Sequence, residues 1–190
     1  VTPRIGKPVE VQALWINALR FGASHASRWR DLHDRASRAF EARFWDAEGG
    51  FLYDVVDVDH LPGVCDSSFR PNQILAVGGL PYAVLEGPRA RRVVDQVESR
   101  LLTPLGLRSL ASDAPDYRPR YEGGVRDRDS AYHQGTVWPW LLGPFVEAWV
   151  RVRASTGEAK EGARDRFLGP VWRHLDEAGL GHVSEIADGQ

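Results

Sequence analysis

The chain has 190 residues, 43% apolar and 26% charged, with a formal charge of −2, the make-up of roughly one globular domain able to bury a sizeable core. The near balance of charge leaves no footprint for a nucleic-acid partner, and the longest apolar runs fall far short of a membrane span. The one cysteine, Cys65, excludes an intrachain disulfide framework and fits a reducing, cytoplasmic setting; its bland reading is a buried thiol rather than a nucleophile.

No signal peptide pattern opens the chain. Methionine is absent, and Val1 stands immediately before TPRIGKPVE, which reads as the middle of a longer sequence or as a frame opened at a non-standard start codon. Lys7 and Lys160 are the only lysines. Many of the arginines lie among Asp and Glu on helix faces, as on a solvated surface.

In chain order, residues 8–21 (PVEVQALWINALRF) are apolar nearly all round. With Pro8 suited to a first turn, the pattern predicts a helix buried on most sides. Glu10 at its start must be paired or face a ligand, because an unpaired buried charge is costly; structural pairing and sugar contact both stay open. Residues 27–45 carry Trp29, Leu32, Ala36, Phe40 and Phe44 at helical spacing against a charged face, a surface helix that Gly49-Gly50 ends. Residues 51–58 (FLYDVVDV) read as a short extended piece. The pattern then recurs: an apolar helix over 71–80 and an amphipathic one over 88–102. After a long 103–135 loop come an apolar helix over 136–152 and an amphipathic stretch over 158–178. Gly143-Pro144 should bend the third apolar helix, and Gly169-Pro170 should bend or split the stretch after it.

The densest chemistry lies at 117–140, YRPRYEGGVRDRDSAYHQGTVWPW. Carboxylates and amides take paired hydrogen bonds from vicinal hydroxyls, and flat aromatic faces stack on the C–H face of a pyranose. Such a loop suits a polyhydroxylated ligand; the alternative is a half-buried aromatic cluster.

An inner-type helix thus alternates with an outer-type helix three times. Two concentric helical layers satisfy that alternation, so the expected fold is an all-α (α/α)6 toroid of helical hairpins, with residues 1–190 covering about half as one partial domain. The polar-aromatic segments GKPVE, DSSFRPNQ and RDSAYHQGTVW precede inner helices, and GHVSEIADG stands where another would begin. In a toroid these junctions share one end and converge on a single cavity.

Six segments now carry a resemblance: TPRIGKPVEVQALWINAL (2–19), FRPNQILAV (69–77), TPLGLRSL (103–110), YRPRYEGG with RDSAYHQGTVWPWLLGPF (117–145), and GLGHVSEIADG (179–189). In this order they resemble the C-terminal glucosidase domain of bacterial and archaeal glycogen debranching enzymes. The resemblance implies hydrolysis, with inversion, of α-1,6-linked branch glucose, on glycogen, limit dextrin or maltooligosaccharides. Inversion uses a carboxylic acid that protonates the leaving oxygen and a carboxylate that activates water, about 6.5–9.5 Å apart. The resemblance makes Glu185 the base, with Ala187 where the family usually has an aromatic ring. It places the general acid, an aspartate, before the TPRIGKPVE segment and therefore upstream of Val1.

By the same resemblance Asp129, His133, Gln134 and Trp138 grip the glucose, and Asp129 competes with Glu185 as base. Glu122 and Asp127 are weaker candidates that pair with neighbouring arginines. Arg70 and Asn72 contact hydroxyls or brace the loops, with bracing preferred for Arg70. Glu10, Trp15 and Tyr121 complete the expected substrate-binding set. No cofactor is expected, and the His and Cys spacing suggests no metal site. A non-catalytic carbohydrate-binding or interaction piece is the alternative; a toroidal epimerase using His60, His133 or His182 is remote. Half a toroid also exposes apolar flanks, so self-association or a complementary domain half is expected.

Overall fold

The computed structural model describes residues 2–177 and 180–190. Ala178, which closes the third amphipathic stretch, and Gly179, which opens GLGHVSEIADG, lie outside the described residues, as does Val1. Among the described residues seven α-helices dominate: α1 (Val9–Ala23), α2 (Ser27–Phe44), α3 (Gly87–Leu101), α4 (Val125–Ala131), α5 (Leu142–Arg151), α6 (Gly157–Ala163) and α7 (Gly169–Glu177). Helix α1 packs on α2 and against a short 3-10 segment, Pro71–Ala76; that segment packs on α3 and α5, and α5 on α3 and α6. Each apolar segment therefore packs on the amphipathic helix that follows it. These residues do not by themselves close a ring.

Three elements differ from the sequence expectation. The second inner helix is only the 3-10 segment Pro71–Ala76. The Ile74 carbonyl accepts from both Val77 N and Gly78 N at 2.9 Å, and the chain then turns through Gly79 at φ +78°. A Cβ at Gly78 would collide with the backbone of Pro144 and Ala148, so the close approach to α5 leaves no room for a side chain there. The third inner helix starts at Leu142, six residues late, after an extended Val137–Trp138 and a 3-10 turn at Pro139–Leu141. Gly143-Pro144 consequently sits in the first turn of α5, where proline is tolerated, and bends nothing. The 103–135 loop, finally, contains helix α4.

Gly169-Pro170 does interrupt its helix. The turn at Arg164–Leu168 is a π turn between α6 and α7, as expected where proline lacks the N–H for an i→i−4 bond. Phe167 in this turn packs edge-on against both Phe145 and Trp149, with ring centroids 5.3 and 5.4 Å apart.

Strands of two or three residues sew the junctions together; the two within residues 51–58 fall in the extended piece expected there, and the others depart from the all-α expectation. They are β1 (Lys7–Pro8), β2 (Trp45–Asp46), β3 (Phe51–Leu52), β4 (Val55–Val56), β5 (Cys65–Asp66), β6 (Leu102–Thr103), β7 (Gly106–Arg108) and β8 (Val137–Trp138). All pairings are antiparallel, in the orders β1-β4-β5, β2-β3 and β6-β7-β8. Helix α2 ends at Phe44 rather than at Gly49-Gly50, which instead turns the β2-β3 hairpin; Asp46 Oδ1 accepts from the Glu48 and Gly49 amides there. Strands β1, β5 and β8 each lead into an inner segment. At the edge of β8, Val137 exchanges two backbone bonds with Ala187, at 2.8 and 3.0 Å. Asp57, in a left-handed turn after β4 (φ 55°), is buried and ties β1 to α2 through Lys7 and Arg43. The Lys7 bond, the Gly63 amide and Arg43 hold its carboxyl well below the usual range.

The core between the layers is apolar and continuous, with Val9, Ile74, Val93, Val97, Leu101, Leu107 and Phe145 fully buried. Helix α1 is less enclosed than its sequence suggests. Val11, Leu14, Trp15 and Phe21 are exposed, Phe21 to 67%, because no element covers that side of the helix among the described residues. No helix among them is long and apolar enough to cross a membrane.

Candidate active site

A cavity of about 510 Å³ opens where the three junctions meet, and its walls include Arg4, Arg70, Asn72, His133, Trp138 and Trp140. Three polar-aromatic junctions, distant in sequence, thus share one concavity. The fourth lies alongside it: Glu185 lines a neighbouring cavity of about 580 Å³ with Leu105, Val146 and Val183, and Trp140 is a wall of both.

The aromatic side is built by residues 132–138. Trp138 stacks on His133, centroids 5.0 Å apart and planes at 13°, and meets Tyr132 edge-on at 4.8 Å. Its indole N–H donates to the Tyr132 carbonyl at 3.1 Å. Gly135 is the hinge behind these rings. Its φ of +147° and the Arg118 carbonyl, 2.6 Å from where a Cβ would stand, leave room only for glycine. Its amide donates to Ser109 Oγ at 2.9 Å, which anchors the segment on the loop after β7.

The polar side is a charge network. Arg4 forks onto Glu10, with Nη2 2.8 Å from Oε2, and onto Asp54, with Nε 2.7 Å from Oδ2 and Nη2 2.9 Å from Oδ1. Asn72, with its amide oxygen turned to the guanidinium, accepts from Arg4 Nη1 at 3.0 Å. Burial works against the Arg4 charge, but Glu10 and Asp54 outweigh it and hold its pKa above the ordinary value. Arg70 is 7% exposed. It donates to the Ser109 and His133 carbonyls (3.1 and 2.7 Å) and to Gln134 Oε1 (2.6 Å). Burial lowers the pKa of Arg70. Burial first, then nearby positive charge including that of Arg70 and Arg4, pushes the His133 imidazole below its ordinary value as well.

Of the residues expected from sequence, the structure brings Arg70, Asn72, His133 and Trp138 to one cavity. Gln134 stands behind it, bound by Arg70, and Glu10 is tied in through Arg4. Glu185 is exposed, and its Oε1 accepts from the Tyr132 hydroxyl at 2.8 Å. That bond first, then burial and the carboxylate charge, raise the pKa of the phenol. Tyr121 lies on the outer side of this cluster, 5.6 Å from the Tyr132 ring. Two expected residues stand apart: Asp129 is exposed on α4 with no ion pair among the described residues, and Trp15 is half exposed on α1, in the wall of neither cavity. Glu122 lies 3.9 Å from Arg120. Asp127 does not pair with an arginine; its Oδ2 accepts from the Gly124 amide at the start of α4, a better mate for a carboxylate at a helix N-terminus.

Arg4, Ser109, Trp140 and above all Asp54 were not among the residues expected from sequence. The signal for Asp54 was present: a lone carboxylate inside the apolar run FLYDVV must find a cation.

The amylo-alpha-1,6-glucosidase family model matches residues 1–190. This chain belongs to that family. Within it, 78% of the chain aligns at 27% identity with the glycogen debranching enzyme of Saccharomyces cerevisiae, covering 12% of that enzyme. Among solved structures it is similar to the GH63 mannosylglycerate hydrolase of Thermus thermophilus. The complex with Tris gives a TM-score of 0.65 at 17% identity, over 96% of this chain and 40% of that one. The complex with glucose gives 0.64, also at 17% identity, over 96% and 39%. This chain therefore has the fold of part of a GH63 (α/α)6 enzyme, and it spans well under half the length of the relatives it matches.

Proposed function

We propose that this chain is the sugar-gripping part of a glucosidase domain that removes α-1,6-linked glucose at branch points of glycogen or limit dextrin with inversion. The observation that carries this reading is the cavity lined both by Trp138, stacked on His133, and by Arg4, Asn72 and Arg70: a flat apolar surface and a fixed set of hydrogen-bonding groups in one concavity. Such a combination fits a pyranose, with the ring face on the indole and the hydroxyls on the polar wall. The pre-set charge pairs supply orientation without reorganisation on binding.

In this mechanism Glu185 is the general base. Its bond from Tyr132 places it against the same aromatic cluster that carries Trp138. His133, Gln134 and Trp138 grip the glucose, with Arg70 as brace and Asn72 on the polar wall. The general acid in this reading comes from a segment N-terminal to Thr2-Pro3-Arg4. Asp129, exposed on α4, is the weaker candidate for base. In the debranching enzyme that carries this domain, Glu185→Gln should abolish glucose release from limit dextrin while maltotriose binding persists. Release at the parent rate would overturn the assignment of the base.

The exposure of Asp129 favours a second reading for residues 1–190 alone, in which they bind maltooligosaccharides without turnover. Calorimetric titration with maltotriose, run beside a glucose-release assay on the same chain, separates the two: heat without glucose supports binding alone.

A further inference from the structure

Asp54 is buried to 2% exposure, yet the glucosidase mechanism above gives it no part. Both carboxylate oxygens go to Arg4. Its carbonyl accepts from Val9 N at 3.0 Å, and its amide donates to the Asp66 carbonyl at 2.9 Å, so the backbone is pinned between α1 and β5. Arg70 Nε lies 3.7 Å from Asp54 Oδ2, beyond hydrogen-bond reach, and is a buried polar atom without a partner among the described residues. Every other guanidinium bond of Arg70 goes to Ser109, His133 or Gln134. The Asp54 charge therefore faces two guanidinium groups, one bonded to it and one held by field alone.

We propose that Asp54 is the positioning residue of the cavity: its carboxylate fixes Arg4 on one side, keeps Arg70 turned toward it on the other, and so sets the His133–Gln134 segment beside Trp138. The inference rests on the saccharide reading of the cavity for its functional meaning but not for its geometry. Without this charge, Arg4 would keep only Glu10, and Arg70 only the charges of Asp66 and Asp116 acting at a distance. Two like charges in a partly buried space repel, and Arg70 would release the carbonyl of His133 and the amide of Gln134. Burial, opposed by Arg4 and Arg70, raises the Asp54 carboxyl to about 6, which brings its titration close to neutral pH and makes the link measurable.

The test reads the indole N–H resonance of Trp138 and hydrogen exchange at the Gly135 amide in the 190-residue chain without saccharide. In Asp54→Asn at pH 7.5 the Trp138 resonance should shift and Gly135 protection should fall about tenfold, with the Trp149 resonance unmoved. Lowering the pH of the parent chain to 5 should move Trp138 in the same direction, and the variant should show no such titration. If Asp54→Asn does not fold, the parent titration repeated in a His133→Asn background decides, since the imidazole is then not the source. Superimposable Trp138 and Gly135 signals in variant and parent, or an absent titration in the His133→Asn background, overturns the inference. Because no saccharide is added, the outcome is independent of whether maltotriose binds.

Discussion

The Tyr132 hydroxyl donates to Glu185 across 2.8 Å, joining two residues 53 apart in sequence. The bond aims one carboxylate oxygen, and in the proposed mechanism the other activates a water. Tyr132→Phe in an enzyme that carries this domain should therefore lower turnover by roughly tenfold with little change in KM. The converse is spectroscopic. Glu185→Gln removes the main cause of the raised phenol pKa, and ultraviolet titration should show Tyr132 returning toward the ordinary value of about 10.

Asp54 predicts an unusual pH dependence of stability. Its folded pKa of about 6 lies above the carboxylate's ordinary 3.8, so between those values the folded state binds the proton and the unfolded state does not. Stability from this group is therefore greatest in acid and falls as the pH rises toward 6. Urea unfolding at pH 4.5 and pH 7 should show the parent losing about 2 kcal/mol more across that interval than Asp54→Asn does. Equal changes in the two proteins would sink the prediction.

Trp138 should carry much of the saccharide affinity. Trp138→Ala removes the platform and also the indole bond to the Tyr132 carbonyl; maltotriose affinity should drop by about tenfold, near 1.4 kcal/mol. Trp138→Phe keeps a flat face and should recover part of the loss. Isothermal titration of the three chains gives the comparison.

The exposed side of α1 predicts behaviour in solution. Val11, Leu14, Trp15 and Phe21 form an uncovered apolar strip, and strips of this kind drive association. We expect the 190-residue chain to elute as self-associated species at high concentration. Trp15→Gln with Phe21→Gln should move it toward monomer, because both side chains are exposed and contribute little to the core. Light scattering behind a sizing column reads the result.

The outer helices were legible because their periodicity needs only one solvent face. Phe40 and Phe44 in α2, and Val93, Val94, Val97 and Leu101 in α3, are buried as their spacing predicts, whereas Leu32, expected in the same α2 stripe, is exposed. The inner segments were harder, since an apolar run has no phase to read. Residues 71–80 look like a helix until the backbone of α5, pressed against Gly78, is taken into account. Trp15 looked like a cavity residue for the same reason: a helix apolar all round does not say which side is covered. The site was legible where chemistry clusters locally, at His133, Gln134 and Trp138. It was not legible at Asp54, whose partners Arg4 and Arg70 are distant in sequence and are brought to it only by β1, β4 and β5.

Trp140 stands between the two cavities, 58% exposed. It works as a party wall, with the cavity that Trp138 lines on one side and the apolar trough beside Glu185 on the other. In the proposed reading, where the glucose lies against Trp138 and Glu185 acts on it, Trp140 is the side chain at which the two spaces have to meet, and Trp140→Ala should change the length of oligosaccharide accepted.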